Sequence, residues 1–214
     1  MKKDGTGYWR KNNTNRPLNA AMQASAAHTA VTNEAAKRVA ARLLPVTSCL
    51  NTGSLITKMA GAFKKSLLQY GEMNYDHLRK LDFQPDDYTF SKLAKGHLQE
   101  HIENGRLHLS ITVGGKSVTK HSKLPTGYWV ELILLWGDPG SDKELRVDSI
   151  TSDTYRFDEG KGAYTNCLLA IDLPERQAWM AMVKVTCSGN DVESSPKYNA
   201  MKVLRVGHGY TMLK

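Results

Sequence analysis

The stretch YWVELILLWGD, residues 128–138, limits what this chain can become. Read at a period of two, Tyr128, Val130, Leu132, Leu134 and Trp136 fall on one side. Trp129, Ile133 and Leu135 fall on the other. A strand that borders water alternates apolar with polar residues. This one does not, so both of its faces need cover. A helix of the same chain or a partner subunit could supply it, and the helix is the expected cover.

From about residue 88 onward the pattern stays at a period of two. Leu107, Leu109, Ile111 and Val113 alternate with His108, Ser110 and Thr112. ELRVDSI (144–150), AYTNCLLAI (163–171), AWMAMVKVTC (178–187) and KYNAMKVL (197–204) follow, separated by GDPGSDK, DEGKG, DLPER and SGNDVESS. About seven short strands punctuated by such turns indicate an antiparallel sandwich. No repeat of fixed period is visible.

The cover for the two-faced strand lies upstream. Ser54 to Gly71 reads as an amphipathic helix, with Ser54 as cap and Gly71 as terminator. Its stripe is Ile56, Met59, Phe63, Leu67 and Tyr70. A second helix is expected over Glu34–Leu44, with Asn33 as N-cap and Pro45 as the stop. The alanine-rich Leu18–Ala30 gives a weaker helical signal, because its apolar stripe is thin. A short turn of helix fits Asp76–Leu81, and DFQPDDY (82–88) reads as a loop.

Charge divides the chain. Residues 1–80 hold thirteen Lys/Arg and four Asp/Glu, a net of +9, while residues 81–214 hold sixteen and seventeen, a net of −1. Basic character therefore sits in the N-terminal part, which points to an anionic partner. Residues 1–17 read as an arm with too few apolar side chains to fold alone. Lys2, Lys3, Trp9, Arg10, Lys11 and Arg16 of the arm, with Lys37, Arg38 and Arg42 of the helix, are the candidate contacts to nucleic acid or a partner. No run of eighteen apolar residues exists, so no transmembrane helix is expected. The basic start lacks an apolar stretch, so the expectation is a cytoplasmic chain without a secretory signal, free or as part of a particle.

GHLQEHIENGRLHLSIT (96–112) carries His97, His101 and His108. Asn104–Gly105 is a strong two-residue hairpin signal, since a type I′ turn needs positive φ at both positions. With the turn there, Ile102 faces Leu107, Leu98 faces Ile111, and His101 stands opposite His108 on the polar face. Leu98, Ile102, Leu107, Leu109 and Ile111 form the expected buried face. The zinc-protease pattern HExxH is absent. The expected role of the three histidines is a solvent-facing surface, with no metal and no cofactor. Were an ion to bind, His101 and His108 would hold it, with His97 or Glu103 helping.

Other motifs are weak. GDPGSDKE gathers Asp138, Asp142 and Glu144 but does not match a calcium loop. GKG lacks P-loop spacing, and no G-x-S-x-G elbow occurs. Cys49, Cys167 and Cys187 lack metal spacing and read as buried free thiols.

The segments AFKKSLLQYGEMNYDHLRKL, LAIDLPERQAWMAMVKVTCSGNDVESS and YNAMKVLRVG, taken in order, resemble a family of small bacterial proteins of unknown function. These pair a basic leader and a helical segment with a C-terminal fibronectin-like sandwich. The resemblance implies a fold and lends no activity or site. The expected architecture is α+β. A basic arm (1–17) and a helical segment (18–83) pack on an immunoglobulin- or fibronectin-like sandwich (88–206), and 207–214 form a tail. The expected function is non-enzymatic: a structural or assembly subunit of a bacterial or phage-like complex. Self-association or other subunits would be its partners, with nucleic acid as a further one and no membrane. A module recognising sugar or protein through the sandwich loops, and a nucleic-acid-binding protein acting through residues 1–80, are the alternatives.

Overall fold

The computed structural model describes residues 19–50, 52–84, 89–113, 118, 125–141, 145–157, 165–189 and 193–208. The arm, with Lys2, Lys3, Trp9, Arg10, Lys11 and Arg16, lies outside the described residues, as do Asp142 and Glu144. The architecture is α+β, with helices first and two antiparallel sheets after them.

Helix α1 spans Ala20–Thr47 and α2 spans Leu55–Tyr70. α1 is one continuous helix, where a strong segment at 34–44 and a weaker one before it were expected. Alanine supplies no stripe, but it has the highest helix propensity, so a helix once started propagates through it. The N-cap is Asn19, whose Oδ1 accepts the Met22 N–H at 2.8 Å; Asn33 lies inside the helix. Pro45 does not stop α1. It sits within the last turn, where one missing backbone bond is tolerated, and Thr47 Oγ1 donates to the Leu43 carbonyl at 3.0 Å.

Gly71 ends α2 as expected, at φ 76°, and its N–H donates to the Leu67 carbonyl. Ser54 precedes α2 but makes no side-chain cap. The buried residues of α2 are Leu55, Met59, Ala60, Ala62, Phe63 and Ser66. Ile56 and Tyr70 are exposed and Leu67 is half-buried, against expectation. α2 packs on α1 and on the sheet at once, so its buried arc takes in small residues between the two contacts. A 3-10 turn follows at Asp76–Leu78. Helix α3, Phe90–Leu93, opens the region expected to be sheet; four residues are too few for a period to show.

The strands are β1 Leu98–Glu103, β2 Arg106–Val113, β3 Gly127–Trp136, β4 Arg146–Thr151, β5 Tyr155–Arg156, β6 Thr165–Asp172, β7 Trp179–Ser188 and β8 Asn199–Gly207. One sheet has the order β1-β2-β6. The other runs β4-β3-β7-β8, with β5 paired to β3. Leu107, Leu109, Ile111 and Leu169 of the first sheet share a core with Tyr128, Val130, Leu132, Leu134, Val183 and Val185 of the second. Ile133, Leu135, Met180, Met182 and Val203 point the other way, into a core with Val39, Leu43, Met59 and Phe63 of the helices. β3 is thus covered on both faces by its own chain. The order of layers is helices, five-stranded sheet, three-stranded sheet.

Two details fix β8 in place. Phe83 N–H donates to the Met201 carbonyl at 3.0 Å and Val203 N–H to the Leu81 carbonyl at 2.8 Å. Residues 81–83 therefore lie along β8. At the far end of β8, Gly207 rests on the Trp179 ring, and a Cβ there would overlap it.

Candidate functional site

Among the described residues no layer lies over the outer face of the three-stranded sheet, and the histidine pair lies there. Asn104 and Gly105 take φ values of 49° and 75°, as a type I′ turn requires. The turn sets the register His101↔His108, Ile102↔Leu107 and Glu103↔Arg106. Leu107, Leu109 and Ile111 are buried as expected, while Leu98 and Ile102 of the edge strand β1 are half-buried. The hairpin is held to β6 by Leu173 N–H, which donates to the Gly105 carbonyl at 2.8 Å, and by an Arg106–Asp172 ion pair at 2.8 Å.

The imidazoles of His101 and His108 stack, with centroids 4.8 Å apart and planes 10° from parallel. Glu103, two residues on along β1, brings its Oε2 to 3.9 Å from His101 Nε2. Among the described residues, His101, Glu103 and His108 are the group that could hold an ion, with donor atoms all within 4.8 Å of one another. His97 is not in the group. Four residues of extended strand span about 13 Å, so the spacing that joins two side chains on a helix parts them on a sheet. The same face carries Leu168, which is 75% exposed. It alternates with the buried Cys167 and Leu169, a parity visible in the sequence though not singled out there.

A groove of about 530 Å³ opens between the edges β1 and β8. It is lined by Leu98, Glu100, Leu109, Lys202 and Leu204, with Lys80 and Asp82 at its rim. Glu100 points toward the core side of an edge strand. Burial pushes its carboxyl above the ordinary range, and Arg205 and Lys202 oppose that shift. A charge turned inward on an edge strand hinders pairing with another strand. Glu100 carries no signal in the sequence, because the hairpin pattern treats it as an interruption in an apolar face.

The helical candidates divide. Lys37 is exposed and pairs with Glu34 at 2.8 Å, which holds that carboxyl below its usual range. Arg42 is exposed. Arg38 is half-buried and donates to the Gly140 carbonyl at 2.8 Å, so it positions the β3–β4 loop. In that loop Asp138 Oδ1 accepts the Gly140 N–H at 2.7 Å, an ordinary turn contact. Buried titratable groups serve the core. Tyr75 donates to the Gly137 carbonyl at 3.1 Å and burial raises its phenol above the usual range. Burial pushes the Cys187 thiol up to about 12, so it is inert near neutrality. Cys49, Cys167 and Cys187 are all free; Cys167 and Cys187 are buried as expected, while Cys49 is only half-buried.

No helix among the described residues is long and apolar enough to cross a membrane. No protein-family model matches the chain, and a comparison with characterised proteins finds no match.

Proposed function

We propose that this chain is a non-enzymatic structural or assembly subunit of a bacterial or phage-like complex, whose basic side meets a neighbour or nucleic acid. The observation that carries this is the sorting of charge by layer. α1 and α2 hold six Lys/Arg and one acidic residue, on the side opposite the bare sheet face. Residues 81–214 have a net charge of −1. A surface of one sign attracts a polyanion by releasing its counterions. The basic arm lengthens that surface in sequence.

The reading includes a finer fold, an immunoglobulin- or fibronectin-type sandwich like that of the small bacterial proteins the sequence resembles. The support is strand order. β1-β2-β6 against β4-β3-β7-β8 corresponds to A-B-E against C′-C-F-G when such a domain is lettered along its chain. Sandwiches of this kind serve as scaffolds and adhesive modules as well as enzymes, so the fold favours no chemistry by itself.

Fluorescence anisotropy with a labelled oligonucleotide at rising salt tests the anionic partner. Affinity should fall steeply with salt. Lys58→Glu with Lys65→Glu should weaken binding and lower the salt slope by about one for each phosphate that is no longer neutralised. Binding that ignores both salt and the two substitutions would remove nucleic acid. Light scattering after size exclusion then tests a neighbour of the same kind: a 23.8 kDa species at every concentration would count against self-association.

A further inference from the structure

We propose that His101, Glu103 and His108 form a binding site for a divalent transition-metal ion of the zinc class. Three features of the hairpin support it. The first is alignment. The Asn104–Gly105 turn fixes the register, so the two imidazoles are directly cross-strand neighbours. A slip of one residue would send one of them to the core face.

The second is that the carboxylate is available. Glu103 is paired across the turn with Arg106, which would be its natural partner. Arg106 instead turns its Nε to Asp172 of β6 at 2.8 Å. Glu103 is left facing His101, with its Oε2 3.9 Å from Nε2. That distance is long for a direct hydrogen bond and suits two ligands waiting on one ion.

The third is reach. Ligands at about 2.0–2.1 Å in a tetrahedron stand about 3.3 Å apart. The donor atoms already lie within 4.8 Å of one another. Side-chain rotation of about an ångström closes the difference, and His101 and Glu103 are free to make it at 62% and 64% exposure. The backbone need not move, because Asp172 of β6 and Leu173 just after it anchor the turn.

The donor set chooses the ion. Two ring nitrogens and one carboxylate suit zinc, nickel or copper, whereas calcium and magnesium want a shell of oxygens. Three protein ligands leave a fourth position for water or for a donor from another molecule. The site therefore exchanges its ion with solvent and does not hold up the fold. It extends the bare face in chemistry and is independent of the nucleic-acid reading, since it lies on the other side of the molecule.

Isothermal titration of zinc chloride into untagged full-length protein at neutral pH is the direct test. One saturable equivalent is expected. His101→Gln and His108→Gln should each weaken it by at least about tenfold, and Glu103→Gln by a smaller factor. His97→Gln should bind as the parent does. The ring-proton NMR signals of two histidines should move together with the first equivalent and stay fixed in the His101→Gln/His108→Gln double variant. Equal melting temperatures without metal would show that the substitutions leave the fold intact. No saturable binding would overturn the proposal. So would a double variant that still binds like the parent, or a His97→Gln variant that loses as much as His101→Gln.

Discussion

β7 and β2 are both inner strands of antiparallel sheets, and their surroundings differ. β7 is buried from Trp179 to Cys187, with a core on each side. In β2, buried Leu107, Leu109 and Ile111 alternate with half-exposed His108, Ser110 and Thr112. The inner strands β3 and β7 of the middle sheet have a core on each side, and among their polar residues Lys184, only 8% exposed, lies 3.9 Å from Glu131. The outer sheet can carry histidines, a carboxylate and a bare leucine on one side while the other side holds the core. The histidine pair and Leu168 thus stand on the sheet that needs only half of its residues for packing.

The largest test of that contrast is a pair of truncations in the middle sheet. Leu132→Ala faces the other sheet and Met182→Ala faces the helices, and each should cost about 2–5 kcal/mol in urea unfolding. A loss below about 1 kcal/mol for Met182→Ala would mean that the helices lie loosely on the sheet. Gly207→Ala comes next. Its methyl group would press on the Trp179 ring, and a loss of about 1–3 kcal/mol is expected. Gly105→Ala strains the hairpin at φ 75° and should cost about 1 kcal/mol, read as a lower melting temperature. Leu168→Ser is the smallest change, within about 0.5 kcal/mol, because the side chain already stands in water. A marked loss at Leu168 that depends on protein concentration would show that the face is covered by another molecule in solution.

The contrast between the sheets is legible in sequence because burial writes itself as period. β3 has apolar residues at both parities, and it lies between two layers. The Asn104–Gly105 dipeptide locates a turn and, through it, six residue pairs in the correct register. Where a signal has no period, the sequence is silent. Alanines in α1 make no stripe, so its first turns are underestimated. α3 and the two residues of β5 are too short for a period to repeat. His97 reads in sequence as a helper to the pair, but along an extended strand it stands too far from His101 to join the group. Arg38 reads as a surface charge, because nothing near it in sequence shows that Gly140, on a distant loop, takes its hydrogen bonds.

The seam between Leu81–Phe83 and β8 bears on how the protein is made. Val203 and Met201 receive partners synthesised long before them. At ordinary ribosome speed the roughly 130 residues from the end of α2 to the middle of β8 take on the order of ten seconds to emerge. Through that interval Met59 and Phe63 of α2, and Val39 and Leu43 of α1, have no completed sheet to lie on. The helix pair must wait half-assembled, with the contact between α1 and α2 as its own shelter, until the last strand arrives and zips along the segment that follows it.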